Sequence, residues 1–328
     1  MTQNYIKKNS TVLIGAGYWG TNIAKNLLKI NNDILIYDKN KKNLNLIKKK
    51  FSNKIITLNN YKKILVDKNI KNLIFATPPS QNFKLVSKAL LYGKKIFLEK
   101  PGFKNIDEFN IIEKKYNKQL NNLYFGYIYL FNNHIKFIKN FINNKKNGKI
   151  LYVKCQRQNL GPIRNDVDVD YDLSTHDLSI LIYLFGKRII VQNNLKYFIL
   201  KKTIADISVL SLKIKNFFAD INNSWLNPDK IRRITIITDK KMLLFDEMKK
   251  ENKIKIYNKY AEYPKISKLS NKNFFKNAKI YEGSTINPSI KENDPLYDEI
   301  KYFLEDNKKK NIINFKFAKK IVNLISSN

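Results

Sequence analysis

Apolar and polar positions follow two different rhythms along the first part of the chain. Short apolar runs such as Thr11-Val12-Leu13-Ile14 and Lys95-Ile96-Phe97-Leu98 read as buried strands, whereas residues such as Ile23, Leu27 and Leu28 recur at helical spacing. The pattern predicts strands at 11–15, 33–37, 54–58, 71–76, 94–98 and 122–127, with helices at 18–29, 40–51, 60–66, 80–92 and 105–118 between them. Alternation of this kind builds an α/β fold around a parallel, doubly wound sheet.

Beyond a helix predicted at 132–146 the rhythm changes. Stretches at 149–159, 188–200, 204–214, 217–225, 231–238 and 241–245 alternate with period two, one helix interrupts them at 174–185, and two helices close the chain at 294–306 and 316–326. Consecutive strands with few crossovers predict an open, mostly antiparallel sheet in an α+β domain. With 328 residues the chain is long enough for two cores, and the expected division is 1–125 for a dinucleotide-binding domain and 126–328 for a substrate-binding domain.

The net charge of +35 would ordinarily point to nucleic acid or an anionic membrane. Only five of the 62 basic residues are arginine, however, and the lysines are spread along the whole chain with abundant Asn, Ile and Tyr rather than gathered on one helix or arm. No nucleic-acid partner is expected. No apolar run approaches the roughly 20 residues that cross a bilayer, and Met1 to Ser10 lacks the apolar core of a secretion signal. The expectation is a cytoplasmic protein without a membrane partner. Cys155 is the single cysteine, which excludes an intrachain disulfide, and its place in an alternating strand makes it core filler.

In so biased a composition, scarce residue types persist where no abundant one performs the same physical task. Three of the ten glycines are Gly15, Gly17 and Gly20, and one of the two histidines, His176, lies in the most motif-like stretch of the second half. Four of the five arginines fall at Arg157 to Arg164 and at Arg232-Arg233, where lysine does not match a bidentate fork. The other histidine, His134, matches no catalytic position and is expected at the surface or in a loop.

Gly15-Ala16-Gly17-Tyr18-Trp19-Gly20 stands between a predicted strand and a predicted helix, the context a dinucleotide fingerprint requires. The first glycine permits a tight turn, the second lets backbone approach a pyrophosphate, and the third lets helix and strand pack closely, with the helix amides facing the phosphates. Asp38 follows the second strand at about the ~20-residue spacing at which a carboxylate binds ribose hydroxyls. This favours NAD, although Lys39, Lys41 and Lys42 could offset a 2′-phosphate and keep NADP possible, and Asp38 also suits a turn or helix cap. Thr77 and Pro78 end the fourth strand, where the nicotinamide half is expected, and Glu99-Lys100-Pro101 ends the fifth, placing a candidate acid/base lysine at the mouth of the sheet. Tyr18, Trp19 and Glu99 join the cofactor-binding candidates. No metal site is expected.

Gly15 to Gly20, Ala76-Thr77-Pro78-Pro79 and Glu99-Lys100-Pro101 together resemble the Gfo/Idh/MocA family of NAD(P)-dependent oxidoreductases. The stretch from Asn159-Leu160-Gly161-Pro162-Ile163-Arg164 to Asp172-Leu173-Ser174-Thr175-His176-Asp177, and Ser224-Trp225-Leu226-Asn227-Pro228 leading to Arg232-Arg233, are similar to the branch that oxidises C3 of UDP-N-acetylhexosamines or their uronic acids. The resemblance implies a Rossmann domain, a second domain that also serves oligomerisation, a homo-oligomer, and a place in nucleotide-sugar and surface-polysaccharide pathways. It also implies that Lys100 and His176 contact the reacting hydroxyl with Asp172 beside them. Either residue can serve as base; histidine titrates near neutrality, which favours His176 as base or relay and Lys100 as the group that orients the oxygen. Arg164 suits the substrate's diphosphate or carboxylate and equally a surface salt bridge, Asp172 suits a helix cap as well as the site, and Arg232 and Arg233 suit structural roles. Gln81-Asn82 stands where the family often carries a histidine, which leaves the nicotinamide contacts open. The alternatives to a nucleotide-sugar substrate are a free sugar or cyclitol, or a cofactor-binding regulator without chemistry. The joint presence of Lys100, Asp172 and His176 argues against the last.

Overall fold

A computed structural model of the chain describes residues 6–31, 33–262, 279–305 and 311–327. Two compact units form, one from the residues up to Phe131 together with Asp294–Ser326, the other from Asn132–Asn293.

The first unit alternates strand and helix as expected: β1 (Ser10–Ile14), α1 (Tyr18–Ile30), β2 (Ile34–Tyr37), α2 (Lys41–Phe51), β3 (Ile55–Leu58), α3 (Tyr61–Val66), β4 (Ile70–Phe75), α4 (Pro79–Leu91), β5 (Lys95–Glu99), α5 (Ile106–Lys115) and β6 (Leu123–Gly126). The six strands are parallel in the order β3-β2-β1-β4-β5-β6. Neighbouring residues such as Leu73, Ile74 and Phe75, or Ile96, Phe97 and Leu98, are all buried, because helices cover both faces of the sheet; this is why the strands read as apolar runs and not as alternation. The strand order reverses between β1 and β4, which places the ligand crevice at their carboxyl ends. Asparagine side chains cap α2, α3 and α5 through Asn40, Asn60 and Asn105. α1 has no such cap.

The second unit contains α6 (Asn133–Asn143), β7 (Ile150–Leu160), a π-helical turn at Asp170–Ser174, α7 (Thr175–Phe185), β8 (Ile189–Tyr197), β9 (Ile207–Ile214), β10 (Phe217–Ser224), β11 (Leu226–Thr238), β12 (Met242–Asp246), β13 (Ile254–Tyr257), β14 (Tyr260–Glu262), β15 (Lys279–Tyr281) and β16 (Thr285–Ile286). Eight of these strands form one open sheet ordered β16-β13-β12-β11-β7-β10-β9-β8, antiparallel throughout save for β7 beside β10; β14 and β15 pair separately. α7 is apolar almost all round and buried on most of its residues, as a helix embedded in a core must be.

Several expectations need correction. The closing helices α8 (Pro295–Leu304) and α9 (Phe315–Ser326) belong to the first unit, and the chain passes between units at residues 131 and 132, whereas the sequence division assigned all of 126–328 to one domain. Phe303 explains the return: its ring packs 5.6 Å from Phe97 on β5 and 5.3 Å from Tyr124 on β6. Just before α9, the Ile313 carbonyl accepts from the Phe125 amide at 2.8 Å, which covers the otherwise open edge of β6. β8 stops at Tyr197 and does not run to 200, because the amides of Ile199 and Leu200 turn to donate to the buried carboxylate of Asp206 at 2.9 and 2.8 Å. His134 is not at the surface; it is 5% exposed and stacked 5.7 Å from Phe245. Cys155 is buried as expected, and burial pushes its thiol well up from the ordinary range. Among the described residues no helix is long and apolar enough to cross a membrane.

Phe303→Ala is expected to cost about 3–5 kcal/mol of unfolding free energy, the range for deleting a buried aromatic ring. Urea denaturation should show the loss as a lowered midpoint with an unchanged slope.

Candidate active site

At the end of β1 the chain turns through Gly15, whose φ of +100° suits glycine. A Cβ on Gly15 would stand 2.7 Å from the Ala76 carbonyl oxygen, and one on Gly20 would stand 2.1 Å from the Gly15 carbonyl oxygen, so both contacts are backbone on backbone. Gly17 differs, since nothing lies within 4 Å of an added Cβ there. It is the N-cap of α1, no side chain caps that end, and no acid occupies the first turn. The leading amides of a 13-residue helix therefore face open space with the positive end of its dipole. That arrangement fits an anionic diphosphate. Tyr18 is 86% exposed at the same end, and Trp19 is partly covered.

Asp38, one residue past β2, reaches back to this turn. Its Oδ2 accepts from the Ala16 amide at 2.7 Å and from Asn43 Nδ2 at 3.1 Å, and its Oδ1 accepts from the Asn40 amide at 2.7 Å. Three of roughly four carboxylate acceptor positions are thus used, which leaves one for a ribose hydroxyl. The cap of α2 is Asn40, not Asp38. Lys39, Lys41 and Lys42 are exposed nearby.

Thr77 and Pro78 follow β4, and Pro78 is the N-cap of α4. Thr77 Oγ1 donates to Asn82 Oδ1 at 2.5 Å, and Asn82 Nδ2 donates to the Gly102 carbonyl at 2.6 Å. Asn82, only 1% exposed, therefore staples the loop after β4 to the loop after β5. Nothing in the local sequence marks this task. The second loop carries Glu99, Lys100 and the cis Lys100–Pro101 peptide. Glu99 is enclosed at its carboxylate, which bonds the Trp19 side chain and the Lys100 amide, and burial outweighs these and the Lys100 charge to push its carboxyl up to about 7. The buried Glu299 on α8 accepts from the Tyr127 amide at 2.5 Å; burial and the charge of Glu99 push it up as well.

In the second unit Asp172 lies inside the π-turn and not at a cap, and just before it the Asp168 carboxylate accepts from the Tyr171 amide at 3.1 Å. Asp172 is held from two sides, by the indole of the buried Trp225 at 3.3 Å on Oδ2 and by Arg164 at 3.4 Å on Oδ1. Arg164 spends its fork on Asp166, at 2.9 and 2.7 Å, the salt bridge that one of its two readings expects. His176, half-buried, sits in the first turn of α7. The next residue, Asp177, receives a buried two-point contact from Arg157, at 2.8 and 2.9 Å. Arg232 anchors the strand end that leads to Arg164, donating to the Gln158 carbonyl at 2.9 Å and to Asn159 Oδ1 at 2.5 Å. Arg233 pairs with Asp246 at 2.8 Å. Trp225, Asn82 and Asp177 gave no functional signal beyond their place in quoted motifs, because their work is contact with residues distant in sequence.

The raised Glu99 carboxyl fixes the sign of a pH effect. An unfolded glutamate releases its proton near 4.5 while the native one keeps it to about 7, so the native state binds more protons across that window and stability falls as pH rises through it. Glu99→Gln should remove this part of the fall. Denaturation midpoints of wild type and variant between pH 5 and pH 8 would show the two curves separating progressively, wild type lower at the alkaline end.

Residues 10–127 match the family described as "Oxidoreductase family, NAD-binding Rossmann fold", Gfo/Idh/MocA. No curated protein sequence matches the chain. Among solved structures, the fold is similar to UDP-N-acetylglucosamine 3-dehydrogenase GnnA from Acidithiobacillus ferrooxidans, at 17% identity and TM-score 0.73 over 96% of this chain and 94% of that one. It is similar to GenD2 from gentamicin A biosynthesis in complex with NAD, at 12% identity and TM-score 0.75 over 97% and 92%. It is also similar to a myo-inositol dehydrogenase from Corynebacterium glutamicum, at 15% identity and TM-score 0.73 over 97% and 94%. The uncapped amides of α1, the open side of Gly17 and the spare acceptor on Asp38 are what such a domain needs to hold NAD. Residues 10–127 therefore match the NAD-binding Rossmann domain of the Gfo/Idh/MocA oxidoreductase family.

Proposed function

We propose that the chain is a dehydrogenase of a sugar secondary alcohol, acting at C3 of a UDP-N-acetylhexosamine or its uronic acid. The observation that carries the reading is an intact dinucleotide turn in the same unit as Glu99-Lys100-Pro101, which ends β5, two strands from β1, at the same carboxyl edge of the sheet. Gly15 to Gly20 would hold the pyrophosphate, Asp38 a ribose, and Thr77, Pro78 and Glu99 the nicotinamide half. Bound NAD supplies the hydride acceptor.

Each protein group then has one task. His176 takes the hydroxyl proton, the general-base role that an imidazole commonly fills. The Lys100 ammonium donates to the substrate oxygen and orients it. Asp172, fixed by Trp225 and Arg164, keeps its carboxylate in one position. Arg164 supports the nucleotide-sugar reading, since a guanidinium fork matches a diphosphate or carboxylate that displaces Asp166.

A second reading, a free sugar or cyclitol, is favoured by one feature: the Arg164 fork already has Asp166 as its anion, so the chain itself satisfies the group that would read a nucleotide.

Reduced-nicotinamide absorbance with purified protein, NAD and a panel of UDP-N-acetylhexosamines, uronic acids, free sugars and inositols decides between them. Signal confined to UDP-sugars supports the first reading, and signal with free polyols alone supports the second. Lys100→Ala and His176→Asn should each lower kcat by about 10²–10⁴-fold, the usual worth of a positioned acid or base, while NAD affinity measured by fluorescence changes little. Full activity in both variants would remove these residues from the site. Asp38→Ala should do the reverse, weakening NAD binding with kcat at saturating cofactor largely kept.

A further inference from the structure

Asp170 is a carboxylate with no exposed surface, two residues before Asp172 and six before His176, at the start of the π-turn. Burying a carboxylate is costly unless it is paired and hydrogen-bonded. Here Oδ1 accepts from Ser174 Oγ at 3.0 Å and from Ser208 Oγ, while Oδ2 accepts from Asn194 Nδ2 at 3.1 Å with Lys196 Nζ at 3.6 Å. Asn223 Nδ2 closes the network by donating to both serine hydroxyls.

The strand register gives this network a direction. Lys196 pairs with Ser208, Ser208 with Asn223, and Asn223 with Arg157, so β8, β9, β10 and β7 present one continuous row of polar residues across the sheet. Ser208, Asn223 and Arg157 are all buried, on a face otherwise built of residues such as Leu210, Leu212, Ala219 and Ile221. At one end the row holds Asp170; at the other, Arg157 holds Asp177. The segment between these two carboxylates contains Asp172 and His176.

We propose that Asp170 and Asp177 are positioning residues, two pegs that fix the helical segment 170–177 to a polar row of the sheet and thereby set where Asp172 and His176 stand. The proposal rests on the reading of His176 as a group that touches substrate. An apolar row would bury the same helix, but would let it slide or rotate by the small amounts that packing tolerates. Fixed hydrogen-bond partners at both ends do not, and the π-turn, with its extra residue, is held in the register that this pairing demands.

The test uses the full chain and the fact that it has two histidines. Proton NMR resolves the two imidazole signals, and His134→Gln assigns them. In Asp170→Asn the His176 signal and its titration midpoint should shift while the His134 signal stays. With an active substrate, kcat should fall by about 10²-fold, as small misplacements of a reacting group do, with the NAD KM unchanged. Ser208→Ala, which removes a single hydroxyl, should give a smaller shift of the same kind and serves if Asp170→Asn does not fold. A folded Asp170→Asn or Ser208→Ala with an unmoved His176 signal and unchanged kcat overturns the pegs, as does a variant that merely loses stability. Should no substrate be turned over by the parent protein, the catalytic reading of His176 fails, yet the NMR shift still decides the positioning on its own.

Discussion

The 2.1 Å that would separate a Cβ on Gly20 from the Gly15 carbonyl oxygen is the tightest constraint in the first unit, and the cofactor half is built outward from it. Because helix and turn touch backbone to backbone there, α1 starts directly over the end of β1 with its amides uncapped. The same turn brings the Ala16 amide to Asp38, and the Ala76 amide to the Ile14 carbonyl at 2.9 Å, so three strands converge on six residues. A single methyl group at position 20 would push these elements apart together, which is why an abundant residue such as Lys or Asn has not taken the place of a scarce glycine.

Much of this was legible in the sequence, and the limits have physical causes. The first unit's strands and helices stand within a few residues of their predicted positions, because a strand buried on both faces and a helix buried on one leave different periodicities. The glycine turn was legible because backbone contact excludes every other residue at Gly15 and Gly20. The return of α8 and α9 to the first unit was not, since helical periodicity records that a face is buried and not against which sheet. Nor was the parallel pairing of β7 with β10, because alternation with period two is the same in either direction. His134 was misplaced for a related reason: a polar residue in a helix is taken as exposed until its stacking partner, Phe245 on β12, is known.

The candidate site divided along the same line. Residues set by local spacing, Gly15, Gly17, Gly20 and Asp38, could be singled out in advance, although not the Ala16 amide and Asn43 that Asp38 accepts from. Asp172 and Arg164 could be singled out, but not the indole of Trp225 or the carboxylate of Asp166 that hold them. Asn82 shows the difference most clearly. It occupies a place where the family resemblance led one to look for a histidine, and its amide does something that the local sequence does not announce, joining the loops after β4 and β5 by one acceptor and one donor.

Scarcity proves a better guide to these long-range contacts than charge does. The chain has 62 basic residues and 27 acidic ones, and the arginines and buried acids have particular work that the abundant residues cannot do. Arg157, Arg164, Arg232 and Arg233 each bond a carboxylate, a carbonyl or an amide oxygen with defined nitrogens of the fork. Asp170, Asp177, Asp206 and Glu299 are buried carboxylates, each accepting from named donors. Asp170 and Asp177 take donors on both oxygens; asparagine offers one acceptor oxygen and a donor in place of the second, and lysine offers none, so neither could replace them there. The surface has been free to follow the compositional bias toward lysine because an exposed charge contributes little to stability. Inside, the choice is set by the partner: Asn82 serves where one donor and one acceptor are wanted, and Arg157 and Asp177 where a two-point charge contact is.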